Sequence, residues 1–299
     1  MNPVVTPFFH KSSNTWTYVV SDPETLAAAI IDPCLDFDAK SGRTGVDSAT
    51  QLIDFIEAQK LDLRWILETH AHADHLSAGR WLKTQRPVAC LAIGQGIREV
   101  QRTFKPVFNL GAEFATDGRQ FDHLFADGEG VPIGALEGRV IATPGHTNDS
   151  VSYHIGNALF VGDTLFMPDG GSARCDFPGG SAARLYQSIQ RLYALPDDTR
   201  VFVCHDYGPN GREFRCETSI GAQKAGNIHL RGGIAEAEFV RVREARDATL
   251  DMPALILPSI QINIRAGELP EPEGMVRGTR SASLPGAATP DRLALPEDR

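Results

Sequence analysis

Within six residues the chain presents His70-x-His72-x-Asp74-His75, three imidazoles and a carboxylate, directly after the apolar run at 65–67. A short buried strand that opens into such a loop can turn several of these side chains toward one point. Imidazole and carboxylate donors suit Zn, Fe, Ni or Mn, and the absence of thiolate partners argues against a structural Cys-rich knuckle. A solvated polar loop is the bland alternative, but it gives no reason for histidines at alternating positions. The feature therefore calls for a fold in which strand ends meet.

The rest of the chain repeats the pattern. His146 follows the turn Thr143-Pro144-Gly145 after a strand-like run at 139–142, Asp163 follows the run 159–162, and His205 follows the strand-like 201–204. Singly, each is a common turn or capping residue. Four successive strand ends that each deliver a metal-capable side chain make a site. His10, His123, His154 and His229 have no such setting and are expected to be structural.

Around these points the chain reads as paired strands over the first 35 residues, with apolar runs at 16–20 and 27–31. Helical spacing follows at 48–59, 77–84 and 94–103, with a strand-like run at 88–92. From 121 to 161 the texture changes to short strands broken by Asp127-Gly128, Glu137-Gly138, Pro144-Gly145 and Gly156-Asn157, as if a second sheet were being built. An amphipathic helix at 182–195 and helical stretches at 218–227 and 234–248 follow the second-sheet strands. Two mixed sheets with helices outside predict an α/β chain folded as an αββα sandwich over 1–267. The stretch 268–299, rich in Pro, Gly, Ser and Ala, is expected to be a flexible tail.

With the order THAHADH, PGHT (144–147), GDTLF (162–166) and CHDY (204–207) the chain resembles the metallo-β-lactamase superfamily over roughly residues 10–230. Within it the chain looks most similar to the persulfide dioxygenases and their relatives, the glutathione-thioester hydrolases of the glyoxalase II type. ARCDF (173–177) resembles the G-R-T-D-F of the dioxygenases, HDY follows the last strand, FFHKSSNTWTYVV opens the chain in their manner, and MPALILPSIQINIRAGELPEPE resembles bacterial members with an extended C-terminus. Cys175 and Ser172-Ala173 depart from that pattern.

The resemblance implies one Fe(II) per chain held by His70, His146 and Asp163, which would also be the catalytic centre. Glutathione persulfide and O2 would be the substrates, with sulfite and glutathione as products. His72, Asp74, His75 and His205 would orient ligands and hold water. Arg174 and Tyr207 match positions that contact glutathione in these relatives, and a homodimer is the expected assembly by the same resemblance. The residues alone leave another reading open: His70, His72, Asp74, His75, His146, Asp163 and His205 are enough ligands for two zinc ions bridged by Asp163, a dinuclear thioester hydrolase.

Composition closes off other classes. A formal net charge of -9 and a pI near 5.5 lack the basic footprint that nucleic acid or an anionic bilayer requires. No run approaches the ~18 apolar residues of a membrane span. No charged n-region with an apolar stretch marks the N-terminus, so a cytoplasmic enzyme is expected. Five cysteines, widely spaced, fit neither a disulfide framework nor a zinc knuckle. Cys175 and Cys204 stand out only because each neighbours a motif. A metal-binding scaffold without activity would need a missing ligand, and none is missing.

Overall fold

A computed structural model describes residues 1–270; the expected tail lies, from 271 onward, outside the described residues. β1 (Val4–His10), β2 (Thr15–Ser21) and β3 (Ala27–Ile31) open the chain as an antiparallel meander. Then come β4 (Cys34–Asp38), β5 (Arg43–Gly45), α1 (Asp47–Ala58), β6 (Asp62–Leu67), β7 (Leu76–Ser77), α2 (Gly79–Gln85), β8 (Cys90–Gly94), α3 (Ile97–Val107) and β9 (His123–Phe125). The second half holds β10 (Gly138–Ala142), β11 (Val151–Ile155), β12 (Ala158–Phe160), α4 (Ala182–Tyr193), β13 (Arg200–Phe202), β14 (Glu217–Ser219), α5 (Ile220–Gly226), α6 (Glu236–Asp247) and α7 (Ile256–Asn263).

One sheet runs β1-β2-β3-β6-β8-β9 and the other β10-β11-β12-β13-β14, with a small sheet β5-β4-β7 beside them. Strand alternation sorts the core into three apolar layers. In β3, Ala28 and Ile30 face the helices α1, α2, α3 and α7, while Ala27, Ala29 and Ile31 face the opposite sheet. In β12 and β13, Phe160 and Phe202 enter that inter-sheet layer, while Leu159 and Val201, with Val161 and Val203 just past the strand ends, turn outward against α4 and α6. Strands buried on both faces read as continuous apolar runs because both parities are covered. The αββα sandwich is the fold of this chain.

Several details differ from the sequence expectation, β4 and β5 among them. β9 pairs with β8 in the first sheet, so the second sheet begins at β10. Ser77 belongs to β7, where it pairs with Cys34, and α2 starts at Gly79. Likewise Glu217–Ser219 is the edge strand β14, and Ser219 caps α5 by accepting from the Ala222 N–H. Both expected helices run too far at their N-termini because Ser77, Thr218 and Ser219 are polar residues that suit a helix start as well as a short strand. A further difference is α7, whose polar Ser259, Gln261 and Asn263 are spread around the helix between apolar residues and therefore give no amphipathic signal. It returns to the first sheet's side, burying Ile260 and Ile262 there.

Topology then gathers the site. β6 runs parallel to β3 and β8; β10 and β12 are both antiparallel to β11, and β13 is parallel to β12. The C-terminal ends of β10, β12 and β13 therefore share one edge of their sheet. The Val151 N–H donates to the Thr69 carbonyl (2.9 Å) and the Trp16 N–H to the Cys204 carbonyl (2.7 Å), lacing that edge to the end of β6 and the start of β2.

Candidate metal centre

Two glycines let the ligand-bearing turns approach so closely. A Cβ on Gly145 would lie 2.4 Å from the Leu185 backbone, and Gly145 has φ +149°; a Cβ on Gly162, at φ +50°, would lie 2.5 Å from Thr69 Oγ1. Only glycine adopts such conformations without strain. His146 and Asp163 follow these two glycines and so reach the loop after β6.

There the potential ligand atoms of His70, His146 and Asp163 fall within 4.8 Å of one another, as do those of His72, Asp74, His75 and His205. Asp163 faces both sets. Its Oδ2 lies 3.5 Å from His146 Nε2 and 4.0 Å from His70 Nε2, and its Oδ1 lies 3.2 Å from His205 Nε2. His205 Nε2 is also 3.2 Å from Asp74 Oδ2. All seven metal candidates of the sequence are thus in one place. His10, His123, His154 and His229 join none of the metal-capable clusters found among the described residues.

The tautomers are fixed from outside the site. His146 Nδ1 donates to the Arg174 carbonyl at 2.7 Å, leaving Nε2 free. His72 Nε2 donates to Asp32 Oδ1 at 3.0 Å, leaving Nδ1 free. Thr69 Oγ1 donates to Asp32 Oδ2 at 2.9 Å, so it accepts from His70 Nδ1 at 3.1 Å, which leaves His70 Nε2 free. Outer partners of this kind set which nitrogen a metal ligand offers. Asp32 went unnoticed in the sequence although it carries the same signal as the others, a polar residue directly after the apolar strand β3.

Burial makes the donor set a test for a cation. His70 Nε2, His72 Nδ1, His75 Nε2, His205 Nε2 and Asp163 Oδ1 are buried with no hydrogen-bond partner. Unpartnered polar atoms of this number are costly unless something binds them, and N and O donors pointing together fit a divalent metal. Burial holds His70 and His72 well below the ordinary imidazole pKa, in the neutral form that ligates. Burial alone would do the same to His75 and His205. Cys34 and Asp74 around His75, and Asp163 and Asp74 around His205, overcome it and raise both. Burial raises Asp163, whereas Asp74, half-buried, is held low by His205 and His75.

A cavity of about 590 Å³ opens over this floor, reaching His146, Asp163 and Asp74. Phe166, Phe177, Tyr207 and Leu250 form apolar walls, and Arg174, Arg243 and Arg246 supply positive charge. Tyr207 stacks on His205 with ring centroids 6.1 Å apart. The Arg174 guanidinium is engaged: it donates to both Asp176 oxygens at 2.6 Å and to the Asp251 carbonyl at 2.6 Å. The segment 173–177 is held from α6, where buried Arg243 pairs with Asp247, donates to the Ser172 carbonyl (2.9 Å), and Asp247 accepts the Cys175 N–H (2.9 Å). That segment thereby carries the Arg174 carbonyl to His146.

All five cysteines are unpaired. Burial raises Cys175 and Cys204 above the ordinary thiol range. Cys204 Sγ nonetheless lies within 4.8 Å of candidate ligand atoms of Asp163 and His205. No helix among the described residues is long and apolar enough to cross a membrane.

Similarity to known proteins agrees with this geometry. The Beta-lactamase hydrolase-like protein of Xylella fastidiosa is 50% identical over 283 residues, covering 95% of this chain and 64% of that protein, so the chain spans somewhat less than two thirds of that relative. Glyoxylase B2 of Dictyostelium discoideum is 50% identical over 262 residues, covering 87% of this chain and 90% of that protein. More distantly, the human persulfide dioxygenase ETHE1 and the hydroxyacylglutathione hydrolase of Methylococcus capsulatus are each 26% identical, over 87% and 84% of this chain. Among solved structures, ETHE1 from Myxococcus xanthus superposes with a TM-score of 0.70 at 30% identity, covering 89% of this chain and 100% of that one. Residues 13–205, which carry every ligand candidate, match the family described as the metallo-beta-lactamase superfamily, and the chain belongs to that superfamily.

Proposed function

We propose that the protein is an Fe(II)-dependent persulfide dioxygenase that oxidises glutathione persulfide with O2 to sulfite and glutathione. The observation that carries this reading is the grouping of His70, His146 and Asp163, with His146 and Asp163 on the floor of a cavity large enough for a tripeptide thiol. Two imidazoles and one carboxylate on one face, with the remaining positions open, are the donor set of non-haem Fe(II) oxygenases. The 30% identity to the Myxococcus ETHE1 supports the same choice.

Bound there, iron would supply the one-electron chemistry that O2 requires. The chain's own residues do the rest. The Arg174 carbonyl and Thr69 hydroxyl keep His146 and His70 presenting Nε2. Phe177, with its ring centroid 5.2 Å from that of His146, and Phe166 keep water from the floor. Tyr207 offers a hydroxyl to the glutathione backbone, and Arg174 faces its carboxylates. Overall the S–S bond breaks, the terminal sulfur gives four electrons to O2 and leaves as sulfite, one water supplies the third oxygen, the thiol re-forms and two protons are released.

A second reading has its own observation. The unpartnered nitrogens of His72, His75 and His205 are enough, with Asp74 and Asp163, for a second metal, which favours a dinuclear zinc thioester hydrolase. Elemental analysis of anaerobically purified protein, paired with oxygen uptake on adding glutathione persulfide, decides between them. The expected result is about one iron per chain with O2 consumed and sulfite formed. Two zinc ions per chain without O2 uptake would establish the hydrolase instead.

A further inference from the structure

The loop that carries His72, Asp74 and His75 has an anchor on a distant helix. Asn263, near the end of α7, is 4% exposed and lines no part of the cavity. Its Nδ2 donates to the His72 carbonyl at 2.8 Å and to the His75 carbonyl at 2.8 Å, while its Oδ1 accepts the Ser77 N–H at 2.8 Å. One side chain thus satisfies three backbone groups of a single turn. Neither carbonyl has a backbone donor among the described residues. A primary amide with its acceptor and two donors in one plane is the side chain that can do this, and a buried loop without it would keep three polar groups unsatisfied.

The anchor itself is fixed. Gln101 on α3 donates to the Ile264 carbonyl at 2.9 Å. Ile260, Ile262 and Ile264 are buried in the layer beneath the first sheet. Gly267, at φ +83°, packs so close to the Ser77 carbonyl that a Cβ there would lie 2.7 Å away. Gln101 and the buried isoleucines therefore place α7 by contacts outside the loop it holds, and Gly267 adds a further contact to Ser77.

We propose that Asn263 is a positioning residue for the metal site: it fixes the backbone of His72 and His75, and through it the rings that aim His72 Nδ1 and His75 Nε2 at the cation. The proposal rests on reading the His72, Asp74, His75 and His205 cluster as a cation site, the second centre of the dinuclear reading. Loss of positional support of this kind typically weakens metal affinity by about 10- to 100-fold.

The test uses the full chain and Co(II) as a probe, followed by its visible absorption bands and by competition with a chelator. Asn263→Ala removes all three bonds; Asn263→Asp keeps the size and the Ser77 contact but loses both donors. Ile262→Val, on the same helix, is the control for simple loss of packing. The expected result is a Co(II) affinity lowered about tenfold or more with shifted bands in both Asn263 variants, and wild-type affinity and bands in Ile262→Val. Equal affinity and bands in the Asn263 variants, or an equal loss in Ile262→Val, would overturn it. The unsubstituted protein gives a reading that needs no variant to fold. Zn(II) loading should move the Asn263 side-chain amide resonances and leave those of Asn227, which bonds Gly171 and Gln223, in place. Unmoved Asn263 resonances would also overturn it. Uptake of fewer than two Co(II) per chain by the unsubstituted protein would instead refute the second metal site itself.

Discussion

His70, His146 and Asp163 are collected from both sheets, whereas His72, Asp74 and His75 arrive on one loop and His205 joins them across the sandwich. The first set can exist only when the sheets are docked, so a cation there ties β6 to β10 and β12. The second set is largely local, with the His72 and His75 rings 4.1 Å apart. Their supports differ too. The outer nitrogens of His70 and His146 sit on partners at 3.1 and 2.7 Å. Those of His75 and His205 make looser contacts, 3.4 Å to Thr15 Oγ1 for His75 and 3.3 Å to the Asn14 carbonyl for His205. His72, held at 3.0 Å by Asp32, is as firmly supported as His70, so the loose part of the second set is His75 and His205, and its occupancy depends on its surroundings.

The largest effect should come from the shared carboxylate. Asp163→Ala is expected to reduce bound metal to about a tenth of wild type or less at every position, because both clusters lose an oxygen ligand. His70→Ala and His146→Ala should empty the first cluster, while His75→Ala should leave metal in it. Elemental analysis of the four proteins checks this. Equal metal loss in His75→Ala and His146→Ala would erase the distinction between the clusters.

A smaller effect is expected one bond further out. Thr69→Val keeps the shape but removes the hydroxyl that links His70 to Asp32, so His70 loses the partner that fixes its tautomer. Metal affinity at the first cluster should fall by about tenfold, read by chelator competition. His72 bonds Asp32 directly and should be unaffected. A loss confined to the second cluster would reverse the assignment of which histidines Thr69 serves.

These supports also mark where the sequence stops being legible. The ligands could be read because each one follows an apolar run, at the ends of β6, β10, β12 and β13. Asp32 obeyed the same rule but stood alone, 38 residues ahead of His70, and was passed over. Asn263 could not be found at all. Its partners lie 188 and 191 residues away along the chain, and the helix that carries it shows no polar face to reveal which way it packs. The strand β5 is polar and only three residues long, and β4 alternates Leu35 and Phe37 with Asp36 and Asp38 over a run too short to stand out, while β9, which pairs in the first sheet, reads as part of the second because a short strand carries no label of its partner.

The smallest effect concerns the wall of the cavity and depends on how firmly Arg174 is held. Its backbone carbonyl serves His146 whatever the side chain, so Arg174→Ala should leave metal content unchanged. Its guanidinium lies beside the cavity but is paired with Asp176 and the Asp251 carbonyl. Asp176 is held below the usual carboxylate range by that same pair, so it stays ionised at neutral pH and competes for the guanidinium with any substrate carboxylate. A substrate-binding role then predicts opposite signs for two variants. Arg174→Ala should raise KM for glutathione persulfide by about tenfold with kcat little changed, the mark of a lost charge-assisted contact made equally in ground and transition states. Asp176→Asn, which frees the guanidinium, should lower KM by about two- to threefold. If both variants raise KM, the pair is instead a latch that holds the 173–177 segment against the loop at 251, and the anionic end of the substrate must be met by another cation of the cavity, of which Arg246 is the exposed one.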